Sequence, residues 1–276
     1  MTVLLQNKKV KSEYQNQQRV CIISICDSMS SLFHYTKLSN LKEIIKEDSI
    51  DFIATFYEKF NQDDYAWIKN NSESIVREIC EQNGWRYDPD ILSNRPYIIS
   101  FCKSGSSEYM WNNYGDNGEG IVLEFNQEKL YQEAISTKNY ACLIPCEYVN
   151  PHHSDKESIK QTILKIAQND LLQENTDADR MIFAVMGIMQ NKFHEEMEVR
   201  YVQIEEKLAT AKCENGIAII EDYEVPKDKW LRHLIFPKDI LEKVVFGRDV
   251  CDEDVKTFKD YLCSIGYEHI PIEQAK

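Results

Sequence analysis

The chain has 276 residues, of which 43% are hydrophobic and 28% are charged, a composition that excludes a wholly disordered polymer. Acidic residues number 46 and basic residues 32, so the net charge is −14. This balance excludes binding to nucleic acid or to an anionic membrane by bulk electrostatic attraction. We therefore expect a small molecule or a protein as the partner, rather than a nucleic acid or a membrane.

Nine cysteines are scattered along the chain without a CxxC pair. Zinc sites have paired ligands at short spacing, so the sequence predicts no metal. The scattered thiols indicate buried side chains in a reducing compartment. The longest apolar run, residues 20–26, is shorter than the about 20 residues that span a bilayer. Together these observations predict a cytoplasmic protein.

The order of elements predicts a polar N-terminal tail over residues 1–30 and a single domain over residues 31–276. In chain order, the periodicity predicts a strand at 31–36, a helix after residue 40, a helix at 72–84, strands at 97–102, 120–125 and 140–149, helices at 155–174 and 177–190, strands at 196–204, 216–220 and 244–246, a helix at 252–265 and a last strand near residue 270. Strands and helices mixed in this way indicate an α+β or a mixed α/β fold.

The first group of residues that could carry chemistry is Phe33-His34-Tyr35-Thr36, at the end of the first predicted strand. It offers an imidazole, an aromatic face and a hydroxyl within three consecutive residues. Because side chains alternate along a strand, His34 and Thr36 share one face. The alternative is that His34 is a hydrogen-bonded core residue and Tyr35 is a packing aromatic.

The second group covers residues 109–120 and contains Trp111 and Tyr114, which are three residues apart and share a helix face. Asn117-Gly118 predicts a tight turn before the next strand. The glycines here do not form a dinucleotide fingerprint, because no strand precedes them and no helix follows. The alternative is an aromatic anchor beneath a hairpin turn.

The third group is Glu196-Met197-Glu198-Val199-Arg200. A strand over 196–204 places Glu196, Glu198 and Arg200 on one face, and Met197 and Val199 buried on the other. Two carboxylates beside a guanidinium can have pKa values shifted in opposite directions. Such a carboxylate can bind a ribose hydroxyl or stabilise a cationic transition state. The alternative is a solvated strand face with an ion pair that contributes about 0–1 kcal/mol.

Two blocks, Met110-Trp111-x-x-Tyr114-Gly115 and Glu196-x-Glu198-Val199-Arg200, are specific enough to indicate a family. With the His34-Tyr35-Thr36 strand and weaker blocks up to about residue 250, they resemble the bacterial family catalogued as Domain of Unknown Function 2971. A remoter similarity is to ADP-ribosyltransferases, which include toxin enzymes that modify DNA. That resemblance implies an α+β fold with a mixed, split central β-sheet and flanking helices, and a bacterial defence or toxin role.

The resemblance to ADP-ribosyltransferases also implies that NAD is bound as a substrate. On this analogy the catalytic residues are Glu198, His34 and Glu196. Glu198 would bond the ribose 2′-hydroxyl and stabilise an oxocarbenium-like transition state, while His34 would hold the nicotinamide-side ribose. Tyr35 or Tyr114 would stack on the nicotinamide. The implied NAD-binding residues are Tyr35, Thr36, Trp111, Tyr114 and Arg200.

We thus expect an NAD-using ADP-ribosyltransferase or NAD glycohydrolase. The alternative is a non-enzymatic effector domain that binds a nucleotide or a protein partner with the same pocket. Both hypotheses predict that His34, Tyr114 and Glu198 lie in one pocket. Because NAD is anionic and the chain is acidic, positive charge must be concentrated locally, and the candidates are Arg200, Lys192 and Lys103.

Overall fold

A computed structural model describes residues 31–56, 62–85, 87, 96–136, 141–150, 156–168, 172, 177–204, 210–214, 217–221 and 231–276. The predicted tail, residues 1–30, lies outside the described residues. The strands are β1 (Ser31–Thr36), β2 (Ser49–Phe56), β3 (Pro96–Cys102), β4 (Ile121–Asn126), β5 (Ala141–Pro145), β6 (Glu147–Val149), β7 (Ile188–Gln190), β8 (Glu198–Ile204), β9 (Thr210–Glu214), β10 (Ile217–Glu221), β11 (Leu231–Pro237), β12 (Leu241–Phe246) and β13 (Ile272–Gln274).

The helices alternate irregularly with these strands. They are α1 (Leu41–Ile44), α2 (Gln62–Asn83), α3 (Glu108–Asn113), α4 (Gln127–Ser136), α5 (Lys156–Ala167), α6 (Asp177–Met186) and α7 (Asp252–Ser264), with short 3-10 helices at Leu38–Asn40, Asp116–Gly118, Asn191–Glu196 and Lys238–Ile240. Within the described ranges, no helix combines the length and the apolar character needed to cross a membrane.

One mixed sheet organises the described part of the chain. It has nine strands, with β11-β2-β3-β1-β4-β12-β13 along one path and β8 and β5 joined to it through β3. Its pairs are antiparallel except for β12 with β13, which is parallel. The β9–β10 hairpin and the parallel β6–β7 pair lie outside this sheet. The predicted α+β class is therefore confirmed.

The sheet is split at β3. One edge of β3 pairs with β8 along its whole length, from Pro96 to Cys102. The other edge is shared, because β2 pairs with Tyr97 and Ile98 while β1 pairs with Cys102. Strands β1 and β2 pair with the same edge of β3 at different residues. They must therefore diverge, and each continues into a separate part of the sheet. The split central sheet predicted by the resemblance is present, and the similarity to ADP-ribosyltransferases themselves stays a prediction.

Each face of the sheet has its own core. On one face, the rings of Phe52, Phe101 and Phe125 pack against one another with centroids 5.5 to 5.8 Å apart. On the other face, Ile98 and Val202 belong to a core that includes residues of α2, α5 and α6. Alternation along β3 places Ser100 and Cys102 on this second face with Ile98. The candidate site forms on this second face, at the end of β3 where Cys102 lies opposite Glu198.

Several elements differ from the sequence predictions. The predicted strand at 140–149 is two strands, β5 and β6, which join different sheets and are separated at Cys146. The predicted helix at 177–190 ends at Met186, because Gly187 interrupts it and β7 follows. Helix α2 begins at Gln62, well before the expected residue 72. Elements β2, α4, β9 and β11 were not predicted.

Candidate functional site

The first strand position of β8 holds a buried carboxylate beside a buried guanidinium. Strand β8 lies inside the sheet, paired with β3 on one side and β5 on the other. Its register places Glu198 opposite Cys102 and Arg200 opposite Ser100. Glu198 is 3% exposed and Arg200 is 1% exposed, and because they are two residues apart they point to the same face. The predicted placement of Glu198 and Arg200 on one strand face is confirmed.

The carboxylate of Glu198 is held through one of its two oxygens. Oε1 accepts hydrogen bonds from Arg200 Nε at 3.1 Å and from the Ser100 hydroxyl. Arg200 Nη1 also donates to the Met186 carbonyl at 2.7 Å, which anchors the guanidinium. Oε2 faces Cys146 Sγ at 3.9 Å, and a thiol is a weak donor. Glu198 is therefore rigidly placed, with one oxygen engaged and one lightly used.

Glu196 reaches the same region by a turn and not by strand alternation. It ends the 3-10 helix Asn191–Glu196, and Met197 follows in a left-handed conformation with φ 44° and 39% exposure. The predictions that the strand begins at residue 196 and that Met197 is buried are wrong, because the chain turns at Met197. Glu196 is nonetheless buried, and its carboxylate accepts a hydrogen bond from the Tyr114 hydroxyl at 2.6 Å.

Tyr114 connects this buried site with the surface. The residue is 45% exposed, while its hydroxyl contacts Glu196. Burial of the phenol raises the pKa of Tyr114 far above its usual range, and the hydrogen bond to the Glu196 carboxylate acts in the same direction. Burial also raises the pKa of the Cys102 thiol, helped by the charges of Glu196 and Glu198. Cys102 therefore stays protonated at neutral pH and is a poor nucleophile.

Tyr35 and Trp111 lie on the same face of the sheet as Glu198, but they do not offer the same access. Their rings meet edge to face with centroids 5.2 Å apart. Tyr35 is buried, and its hydroxyl donates to the Ser104 carbonyl at 2.9 Å and accepts from the Ser107 N–H at 3.1 Å. Its ring is therefore used in packing. Of the two tyrosines proposed to stack on nicotinamide, Tyr114 has the more exposed ring.

His34 lies on the opposite face of the sheet. Its ring packs in the aromatic core, with centroids 5.0 Å from Phe52 and 6.1 Å from Phe101. Burial lowers the pKa of His34, so the ring is neutral, and Nδ1 donates to the Ser100 carbonyl at 2.9 Å. This hydrogen bond joins β1 to β3 between the residues of β3 that pair with β1 and those that pair with β2. The structure supports the alternative of a hydrogen-bonded core histidine.

Thr36 shares the face of His34, as the alternation in β1 requires. Its hydroxyl accepts a hydrogen bond from the Asn40 side-chain amide at 2.9 Å. The prediction that His34, Tyr114 and Glu198 share one pocket is wrong. Phe33 and Glu198 are both opposite Cys102 and share a face, so His34, the next residue after Phe33, points to the other face. Tyr35, Trp111, Tyr114, Glu196, Glu198 and Arg200 are found on one face, and His34 and Thr36 on the other.

The basic residues near the site are placed differently from one another. Arg200 is enclosed and bonded to Glu198 and Met186, so it neutralises a carboxylate inside the protein. The Lys192 ammonium lies 4.8 Å from the centroid of the Phe193 ring. The backbone N–H of Lys103 donates to the Met197 carbonyl at 3.2 Å. Within the described residues, no cluster of three or more His, Cys, Asp or Glu could hold a metal.

Two further residues complete the site and were not identified from the sequence. The Cys146 N–H donates to the Glu198 carbonyl at 2.9 Å. The Glu198 N–H donates to the Tyr148 hydroxyl oxygen at 2.7 Å, so Tyr148 contacts the same residue from β6. No sequence signal could reveal these contacts, because they depend on the break between β5 and β6. Ser100 also contacts Glu198, and the sequence could have indicated it. It is a polar residue within a buried strand and shares a face with Cys102.

The model of the family described as "Protein of unknown function (DUF2971)" matches residues 110–201, about a third of the chain. This confirms the resemblance to that family over a segment that begins in α3 and ends in β8. The segment includes Trp111, Tyr114, Glu196, Glu198 and Arg200. No curated protein and no solved structure matches the chain.

Proposed function

We propose that this protein cleaves the bond between nicotinamide and ribose in NAD, as an ADP-ribosyltransferase or an NAD glycohydrolase. The observation that carries the proposal is the buried Glu198 carboxylate, fixed through Oε1 by Arg200 and Ser100, while among the described residues Oε2 meets a thiol at 3.9 Å. When the glycosidic bond breaks, positive charge develops on the ribose. A preorganised carboxylate in a water-poor site stabilises that charge.

The bond-breaking step needs no redox partner. Nicotinamide departs with the electron pair of the glycosidic bond and becomes a neutral molecule. The ribosyl cation is then captured by an oxygen or nitrogen nucleophile, which loses a proton. In the glycohydrolase the nucleophile is water, and in the transferase it is a group of the acceptor. Glu196 is the second carboxylate of the site and the candidate to accept that proton.

The other residues take roles that follow from their positions. The exposed ring of Tyr114 is the surface on which the nicotinamide stacks, with its hydroxyl anchored to Glu196. Arg200 and Ser100 are positioning residues that act through Glu198. The split sheet also supports the proposal, although a fold alone does not define an activity. His34 takes no part at this site, because it lies on the opposite face. The failed prediction of a shared pocket therefore removes the ribose-holding role expected of His34, and the proposal rests on Glu198, Glu196 and Tyr114.

A second candidate is a nucleotide-binding effector domain without turnover. It is favoured by a cleft of about 760 Å³ that is lined by Phe33, Trp111 and Arg248. Aromatic rings suit a nucleobase, and a guanidinium suits a phosphate. The Arg248 side chain is 55% exposed and contacts Asp249 through Nε at 3.3 Å. The lining of this cleft includes Trp111 but not Tyr114, Glu196 or Glu198, so substitutions in the two sets of residues separate the candidates.

Product analysis after incubation with NAD distinguishes the candidates. Free nicotinamide with equal ADP-ribose identifies a glycohydrolase, and nicotinamide with less free ADP-ribose identifies a transferase. Glu198→Gln removes the essential charge, and Glu195→Gln is the matched control, because Glu195 is exposed and three residues away. Saturable NAD binding that is weakened by Trp111→Ala, without release of nicotinamide, would support the effector domain and contradict the enzyme.

A further inference from the structure

We propose that Tyr148 is a further ligand-binding residue of the Glu198 site, donating its hydroxyl proton to a ribose oxygen. This inference rests on the proposed function, because it assumes that the ligand of the site contains a ribose. It adds a residue that no sequence pattern indicated. It also specifies the chemical group that the site recognises, which is a pair of neighbouring hydroxyls.

The hydrogen bonding of Tyr148 leaves its proton available. The phenolic oxygen accepts the Glu198 backbone N–H at 2.7 Å, which uses a lone pair and fixes the position of the hydroxyl. The hydroxyl proton must therefore point away from that N–H. Within the described residues, no protein atom accepts it. A half-buried donor without a protein partner next to a buried carboxylate is suited to bind a ligand.

The protonation state of Tyr148 fits a donor role. Burial raises the pKa of Tyr148 well above its usual range. The hydrogen bond from the Glu198 N–H opposes this shift, while the charges of Glu198 and Glu196 add to it. The phenol is consequently neutral at physiological pH, and it acts as a hydrogen-bond donor and not as a base.

Glu198 and Tyr148 offer complementary groups from one place. An ionised carboxylate only accepts hydrogen bonds, and its Oε2 is lightly used. Each hydroxyl of a vicinal diol can both donate and accept. One ribose hydroxyl can therefore donate to Glu198 while the oxygen of its neighbour accepts from Tyr148. This arrangement selects a ribose with both hydroxyls over a deoxyribose.

The test measures binding of ADP-ribose, which lacks the scissile bond and stays intact during a titration. Isothermal titration uses ADP-ribose and the two analogues that lack the 2-hydroxyl or the 3-hydroxyl of the terminal ribose. The proteins are wild type, Tyr148→Phe and Tyr261→Phe. Tyr261 is the matched control, because its hydroxyl donates to the Ile45 carbonyl at 2.8 Å and it lies on α7.

Loss of one neutral hydrogen bond predicts that Tyr148→Phe binds ADP-ribose roughly three- to tenfold more weakly. The analogue that lacks the accepting oxygen should bind wild type and Tyr148→Phe with affinities within about twofold. Tyr261→Phe should bind all ligands as wild type does. Equal weakening of all three ligands by Tyr148→Phe would overturn the proposal, because a structural role has that effect.

Nicotinamide release from NAD, measured in parallel, separates this inference from the proposed function. Release without the selective loss overturns the role of Tyr148 alone. Selective loss without release overturns the enzymatic activity and leaves the diol site. Absence of ADP-ribose binding to wild type overturns the diol site. If thermal unfolding shows that Tyr148→Phe does not fold, the wild-type titrations decide alone, and equal affinities for ADP-ribose and both analogues would overturn the proposal.

Discussion

Replacing Arg200 with methionine tests whether the guanidinium is what makes the buried Glu198 carboxylate tolerable. Arg200 is 1% exposed and Glu198 is 3% exposed, so neither charge is solvated by water. The substitution removes the Nε–Oε1 bond of 3.1 Å and the bond of 2.7 Å to the Met186 carbonyl. Loss of one partner of a buried ion pair costs about 3–5 kcal/mol, because the remaining charge is uncompensated.

Urea unfolding followed by tryptophan fluorescence measures the effect. Arg200→Met should lower the free energy of unfolding by about 3–5 kcal/mol. The double variant Glu198→Gln, Arg200→Met should recover part of this loss, because it no longer buries a charge. An Arg200→Met protein within about 1 kcal/mol of wild type, or a double variant as unstable as the sum of the single variants, would refute the assigned role.

Three further predictions concern stability and ligand access. Lys160 donates a hydrogen bond to Glu78, and the contacts of Glu78 with Lys160 and Lys156 lower its pKa from 4.5 to about 2. The protein should therefore lose stability as pH falls through that interval. Lys160→Met should show a smaller loss in urea midpoints over the same range. Gly247→Ala should cost about 3 kcal/mol or more in urea unfolding, because a Cβ would lie 2.0 Å from the Gly118 carbonyl oxygen; a near-neutral result would contradict that packing. Tyr114→Phe should retain most NAD affinity while Tyr114→Ala weakens it about tenfold in calorimetric titration, because only the latter removes the stacking ring; equal affinities for both would refute the stacking role.

Strands with an almost continuous apolar run or a clear alternation were predictable from the sequence, and features that depend on distant pairing were not. The predicted strand at 97–102 corresponds to β3, because its residues are buried almost without interruption. Strand β2 was missed, although Ile50, Phe52 and Ala54 alternate correctly, because Ile53 is apolar and 50% exposed. An apolar residue on the solvent side hides the period of two.

The candidate site shows the same difference between what the local strand period predicts and what distant strand pairing decides. The pairing of Glu198 with Arg200 follows from strand period and was predictable. Placing His34 and Glu198 together was wrong, because the sequence does not show which face of β1 matches which face of β8. That relation is set by the register of both strands against β3, with Phe33 and Glu198 both opposite Cys102. The left-handed turn at Met197 likewise has no signal in its residue type.

The initial rate of nicotinamide release at saturating NAD tests the central claim most directly. With wild type, the account predicts release well above the rate of NAD in buffer. Glu198→Gln, with an unchanged circular dichroism spectrum, should be slower by about 100-fold or more, because it loses the charge that stabilises the transition state. A wild-type rate equal to that in buffer, or equal rates for wild type and Glu198→Gln, would contradict the account.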